Sequence, residues 1–335
     1  MRANTPESAL ITGATGFVGS HLAKRLSGKG CSVGLLVRDP DRLDTSLRRE
    51  CEVIRGDLFD PAALARAVRG RQAIFHCAAN TATWGRWDDY FAANVGGLQN
   101  LLEAIARENR TLFRLVHLST ADVYGFPQSP CNEQGKISGK GFFYGETKIM
   151  GEELVRAFGR KYGFAYTIFR PANIIGPRSQ FIVRIGKELQ SGVMLLIDGG
   201  RANGGFTYID TLVDYLLWSW SAEKSLNECY NVRSNYDINW SQFIERFQRG
   251  IGGRGIVVDL PFAIADRAAR MFEAAHRVVA PSREPLLHRL IVRIFGRTCG
   301  HSAAKLLAHS GVMEKTGFNE AMERSIAWYR TREDG

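Results

Sequence analysis

No stretch of this sequence approaches the roughly 20 consecutive apolar residues that a membrane-spanning helix needs, so a helical membrane protein is not expected. The first residues, Met1 to Ser8, are polar and lack the hydrophobic region of a secretory leader. Cysteine is sparse: Cys31, Cys51, Cys77, Cys131, Cys229 and Cys299 are scattered, with no C-x-x-C pair. That argues against a metal site and a disulfide framework, and it fits a reducing compartment, so a cytoplasmic protein is expected. Zinc-finger spacing, an RNA-binding signature, internal repeats and low-complexity tracts are all missing. The basic residues are dispersed, so nucleic acid is not an expected partner even though the net charge is +10. An excess of that size can favour anionic partners such as a phosphorylated cofactor or an acidic lipid.

What the chain does have, over 335 residues, is an alternation of short apolar runs with helical patterns. Ala9 to Thr12 leads into Gly13-Ala14-Thr15-Gly16-Phe17-Val18-Gly19, after which apolar residues recur at spacings of three and four. Between a strand and a helix, such glycines permit a tight turn and let the backbone approach a pyrophosphate. The helix N-terminus then offers free N–H groups and a positive dipole end. Gly13, Thr15, Gly16, Phe17, Val18 and Gly19 are therefore cofactor-binding candidates. Ser32 to Val37 is a second strand, ending at Arg38 and Asp39 where a dinucleotide fold places its ribose-reading residue. An arginine there can pair with a 2′-phosphate, so NADP is expected; Asp39 directly behind it keeps NAD open.

Further strands are expected at Cys51–Arg55, Ala73–Cys77, Leu112–Leu118 and Ala165–Phe169. Asp57 and Leu58 follow the third strand; Asp57 either closes the strand end near an adenine or caps a turn or the helix Pro61–Val68. Ala78 and Ala79 follow the fourth and are small enough for a cofactor to lie close. The pattern predicts an α/β fold, a doubly wound parallel sheet with a smaller, mainly helical C-terminal lobe. The expected division is a dinucleotide-binding core over 1–175 and a substrate lobe over 176–335, with 206–232 returning to the core.

Tyr144 and Lys148 are four residues apart, so on a helix they share a face one turn apart. A nearby ammonium can depress a phenol's pKa from its usual value of about 10. Thr120, after the apolar run ending at Leu118, offers a hydroxyl to the same substrate oxygen. Together these groups suit proton transfer coupled to hydride transfer. Taken alone, Y-x-x-x-K equally describes any exposed helix face. The loop holding Trp84, Trp87 and Tyr90 either lines a substrate pocket or packs on itself. From Pro261 onward Ala265, Ala268, Ala269, Phe272 and Val279 are expected on one helical face, and Leu286, Leu287, Leu290, Ile291, Ile294 and Phe295 on another. Between Arg254 and Arg297 eight arginines face four acids. A basic amphipathic segment can lie on a membrane surface, but more often such helices cover a substrate pocket or pack a subunit interface, and that is the expectation here.

Taken together, these motifs resemble the extended short-chain dehydrogenases/reductases over nearly the whole chain. The resemblance rests on Gly13-x-x-Gly16-x-x-Gly19, Asp57-Leu58, Ala78-Ala79, Asn94, Thr120 with Val123-Tyr124-Gly125, Tyr144-x-x-x-Lys148, Arg170-Pro171 with Gly176-Pro177, and Tyr208-Ile209-Asp210. It implies Tyr144 as catalytic acid/base, Lys148 as the group that holds the nicotinamide ribose and tunes Tyr144, and Thr120 as the donor to the reacting oxygen. It also implies Asn94 and Pro171 near the cofactor, Thr81, Trp84, Tyr124 and Asn173 on the substrate side, and a homodimer. Two branches compete. The Thr120–Gly125 loop resembles nucleotide-sugar epimerases and dehydratases. Those enzymes often grip a diphosphate with an arginine where this chain has Gly204, so Arg201 or Arg178 would have to replace it. The Trp84–Tyr90 loop and the apolar segment Pro261–Phe295 resemble the 3β-hydroxysteroid-dehydrogenase-like branch, which acts on larger apolar ketones or alcohols. The expectation is an oxidoreductase of that second kind, with a sugar-nucleotide epimerase or dehydratase as the alternative. A non-catalytic dinucleotide sensor is disfavoured because both Tyr144 and Lys148 are present.

Overall fold

A computed structural model of the chain describes residues 5–139, 141–279, 283–285 and 287–333. In chain order the first half runs β1 (Ser8–Thr12), α1 (Phe17–Ser27), β2 (Ser32–Val37), α2 (Thr45–Glu50), β3 (Glu52–Arg55), α3 (Pro61–Val68), β4 (Ala73–His76), α4 (Trp87–Phe91), α5 (Gly97–Glu108) and β5 (Arg114–Leu118). It continues with α6 (Phe143–Tyr162), β6 (Tyr166–Pro171), β7 (Ile174–Ile175), α7 (Gln180–Ser191), β8 (Val193–Ile197), β9 (Thr207–Tyr208), α8 (Ile209–Ser219) and β10 (Glu228–Val232). The C-terminal part adds α9 (Trp240–Ile251), β11 (Ile256–Leu260), α10 (Phe262–Val279), α11 (Arg289–Gly296), α12 (Ala304–Ser310) and α13 (Phe318–Glu333).

Seven strands form one sheet in the order β10-β6-β5-β4-β1-β2-β3. Every pairing in it is parallel, so helices must cross over both faces and the strands are apolar on both. Alternation along β1 shows this directly. Ala9 and Ile11 join the core under α1 and α8, whereas Leu10 joins the core under α3 and α5. The chain reverses its winding at β1, and ligands of open α/β sheets bind at the strand C-termini beside such a switch point.

The sheet, α3 and β2 fall where the sequence pattern predicts them. Three strands, β7, β8 and β11, were not expected. β8 and β11 pair in parallel apart from the main sheet, and β7 pairs with β9 in another two-stranded sheet. The helical face predicted for α10 also divides. Ala265 and Ala269 are fully buried, but Phe272 and Val279 point outward. Leu286 lies outside the described residues.

Candidate active site

The glycine turn is built for close approach. Gly13 has φ +76°, and a Cβ there would meet the Ala78 backbone at 2.7 Å; one on Gly19 would meet the Gly13 carbonyl at 2.3 Å. The first turn of α1 has no side-chain cap and no acidic residue, so its N–H groups face the cleft unneutralised. These residues fit a dinucleotide pyrophosphate. At the β4 end Thr12 Oγ1 lies 2.8 Å from His76 Nδ1 and accepts from Ala78 N at 3.3 Å, which fixes the Ala78–Ala79 corner behind the glycines.

Helix α6 begins before Tyr144, so Tyr144 and Lys148 do share a face. The Thr120 hydroxyl stands beside the Tyr144 phenol and favours its ionised form. Burial, and then the Asp122 carboxylate, push the phenol above its ordinary pKa. A depressed phenol was expected from the lysine one turn away; the structure differs because Lys148 Nζ donates to the Leu118 carbonyl. Desolvation lowers the Lys148 pKa to about 8. Beneath it His76 and His117 stack 5.4 Å apart, and burial holds both neutral, His76 at about 3.

A cleft of about 600 Å³ joins the glycine turn to Thr120, Asp122 and Tyr144. Thr81, Ala79, Pro171 and Asn173 also line it. Trp84 borders a smaller adjoining cavity together with Tyr144 and His288, while Tyr90 donates to Ala82 O and Trp87 packs on Phe143, so that loop does both things proposed for it. Arg38 and Asp39 stand at the exposed end of β2. The Asp39 carboxylate accepts from Asp41 N in the local turn, and among the described residues Arg38 has no ionic partner.

Other candidates act by support. The Asp57 carboxylate accepts from Phe59 N, and Asp60 rather than Asp57 caps α3. Leu58 packs where a Cβ on Gly97 would fall. Asn94, in a π-turn, accepts from Asn80 N and donates to Asn80 O and Thr147 Oγ1, tying the loop after β4 to α6. Tyr124 was expected to touch substrate. Instead it is buried, donating to Asn231 Oδ1 and accepting from Arg170 Nη1 at 2.7 Å each, and it is not part of the cleft lining.

Sequence reasoning missed four contributors, Asp122, Glu152, Phe181 and Arg184. Asp122 stands in the cleft wall, its pKa raised to about 6 by burial; its place two residues after Thr120 was the available signal. Glu152, one turn beyond Lys148 on the buried face of α6, accepts from Ser119 Oγ and from Arg170 Nε and Nη2. A carboxylate on a buried helix face was the signal for its cation. Phe181 and Arg184 of α7 close the cleft's far wall, and no local pattern marks them; Leu290 and Ile294 of α11, on the apolar face expected from the sequence, complete that wall from more than a hundred residues beyond Tyr144. Arg184 is the one cation among the described lining residues, and it donates to Glu284 Oε1 at 2.7 Å and to Glu188 Oε1 at 3.3 Å.

The comparisons with known proteins agree with this geometry. The model of the NAD dependent epimerase/dehydratase family matches residues 9–232. The chain belongs to that family. It is an enzyme of the extended short-chain dehydrogenase/reductase type that uses a nicotinamide cofactor. Among curated relatives, the 2-alkyl-3-oxoalkanoate reductase of Stenotrophomonas maltophilia is 26% identical over 94% of this chain and 97% of its own. The 4-hydroxy-2-methyl-3-oxo-4-farnesyl-3,4-dihydroquinoline-1-oxide ketoreductase of Stigmatella aurantiaca is 29% identical over 86% of each chain. Among solved structures, UDP-glucuronic acid 4-epimerase from Bacillus cereus, in complex with UDP-glucuronic acid and NAD, superposes with a TM-score of 0.76 at 20% identity. That match covers 97% of this chain and 99% of the epimerase, and it establishes the shared fold of the family enzyme.

Proposed function

We propose that this family member transfers hydride between NADP(H) and a ketone or secondary alcohol on a fairly apolar small molecule, in the cytoplasm. The observation that carries the reading is the charge state of the cleft. Arg184 is neutralised by Glu284 and Glu188. Arg178 pairs with Asp44 and is not in the cleft lining; Arg201 is exposed and also outside it. At Gly204, where the gripping arginine would stand, there is no side chain, and a Cβ would strike the Phe206 ring at 2.4 Å. No free cation among the described lining residues is placed to hold a substrate diphosphate, whereas Phe181, Leu290 and Ile294 offer apolar contact. The two ketone-reducing relatives support the same choice.

Bound there, the nicotinamide supplies or accepts the hydride. Thr120 orients the substrate oxygen and Tyr144 passes a proton to it. Tyr144, its phenol pKa pushed upward by burial, is protonated at neutral pH and can donate to the substrate oxygen. Asp122→Asn removes the charge that raises that pKa. The Tyr144-dependent limb of the pH–rate profile is therefore expected to move to lower pH, and an unmoved limb would take Asp122 out of the phenol's field. Arg38→Ala is expected to weaken NADPH by about tenfold or more and NADH little, because a charge-assisted contact to phosphate is lost; direct titration of both cofactors checks it.

A sugar-nucleotide 4-epimerase remains the second reading, favoured by the Thr120–Gly125 loop and the epimerase fold. Denaturing the purified protein and identifying the released nicotinamide separates the two. Near-stoichiometric NAD supports the epimerase. An empty protein that binds NADPH more tightly than NADH supports the reductase.

A further inference from the structure

We propose that the outward face of α10 docks on anionic phospholipid bilayers. The helix spends both of its acids inward. Asp266 accepts from Arg270 and Arg293, and Glu273 accepts from Arg289 N and Nε, while Ala265 and Ala269 pack fully buried. The other side is apolar and open. Ile264 is 57% exposed, Met271 74%, Phe272 52% and Val279 83%. At 100° per residue these positions fall within an arc of about 100°, a continuous stripe over four turns. Arg267, exposed, borders it about 40° from Met271, and exposed Arg270 and Arg277 follow further round the same flank, about 100° and about 120° from Met271. Among the described residues of α10 no acid is exposed. The outer helix α13 shows the contrast: there exposed Glu320 and Glu323 alternate with Arg324 and Arg330, as expected of a merely solvated face.

A stripe of large apolar side chains edged by one sign of charge matches the interface of an anionic membrane. The apolar groups enter the acyl boundary there and the guanidinium groups stay at the phosphates. Among the described residues no helix is long and apolar enough to cross a membrane, so the contact is peripheral. The basic flank of the helix leads to the site. Arg277 lies 5.8 Å from the Trp84 ring and 5.5 Å from that of Phe143, the residue before Tyr144. An apolar ligand held in the lipid surface would therefore arrive beside the cavity that Trp84 and Tyr144 share. The docking itself does not depend on the proposed substrate class.

The test is co-sedimentation of the full chain with vesicles of phosphatidylcholine containing phosphatidylglycerol, compared with phosphatidylcholine alone, at low and high salt. The wild type is expected to bind the anionic vesicles at least about tenfold more tightly and to be released by salt. Met271→Glu combined with Phe272→Glu is expected to lose that binding while keeping its melting temperature, and Met313→Glu, at an equally open methionine elsewhere, to retain it. Equal binding to both vesicles, no binding, or a double variant that binds like wild type overturns the proposal. So does a lipid-free dimer that the double variant converts to monomer in sedimentation velocity, since the face would then be covered by a second copy.

Discussion

Tyr144→Phe is expected to lower turnover by about 10²–10⁴-fold, the usual contribution of one positioned acid/base, or about 3–5 kcal/mol of barrier. The substitution removes one oxygen from a helix face whose neighbours do not need it. Thr120 keeps its bond to Asp122 N at 3.2 Å, Lys148 keeps the Leu118 carbonyl, and the glycine turn stands on other contacts. Cofactor affinity should stay within about threefold of wild type, since Tyr144 offers a dinucleotide no charge. Steady-state turnover and a cofactor titration on the same preparation check both halves. Turnover within a few-fold of wild type would mean that the proton at the substrate oxygen comes from another donor, and the assignment of Tyr144 would fail.

The second large effect concerns folding. Arg170→Ala is expected to cost about 3–5 kcal/mol, because it strands a buried carboxylate rather than deleting a surface ion pair. Arg170 and Glu152 are 4% and 3% exposed, and the guanidinium also donates to Tyr124. Burial alone would raise the Glu152 pKa; the Arg170 guanidinium outweighs it and holds the carboxyl below its ordinary value. A carboxyl depressed in the folded state contributes stability above its unfolded pKa, and that contribution is lost as pH falls through the folded one. The gap between wild type and Arg170→Ala should therefore be widest near neutral pH and narrow in acid. Denaturant unfolding at several pH values measures it. A loss under about 1 kcal/mol at pH 7 would show that Ser119 and Arg156 suffice for Glu152. Replacing both partners with apolar residues of similar volume should recover much of the loss, as buried pairs generally allow.

Much of this molecule was legible along the chain. The glycine turn, the strand at Ser32–Val37, the helix at Pro61–Val68 and the four-residue step from Tyr144 to Lys148 are local features. Period, turn chemistry and helical spacing act over fewer than about ten residues, which is the range that side-chain pattern reports. The parallel sheet followed because strand and helix signals alternate and right-handed crossovers leave few other arrangements.

What the sequence left open is what distant segments decide. Tyr124 reads as a substrate contact until Arg170 and Asn231 take its hydroxyl. Lys148 reads as the tuner of a depressed phenol until the Leu118 carbonyl takes its ammonium and burial, followed by Asp122, raises the phenol instead. The cleft's apolar wall comes from α7 and α11, and its one cation is neutralised by Glu284, a hundred residues further along. The predicted face of α10 divides because α11 covers only the side bearing Ala265 and Ala269, leaving Phe272 and Val279 to solvent. By itself the sequence determined the dinucleotide fold and the placing of Tyr144 and Lys148 on one helix face, because those depend on short-range geometry. Only the tertiary structure decided which groups face the cleft and which charges are cancelled, because burial and pairing depend on residues brought together by folding.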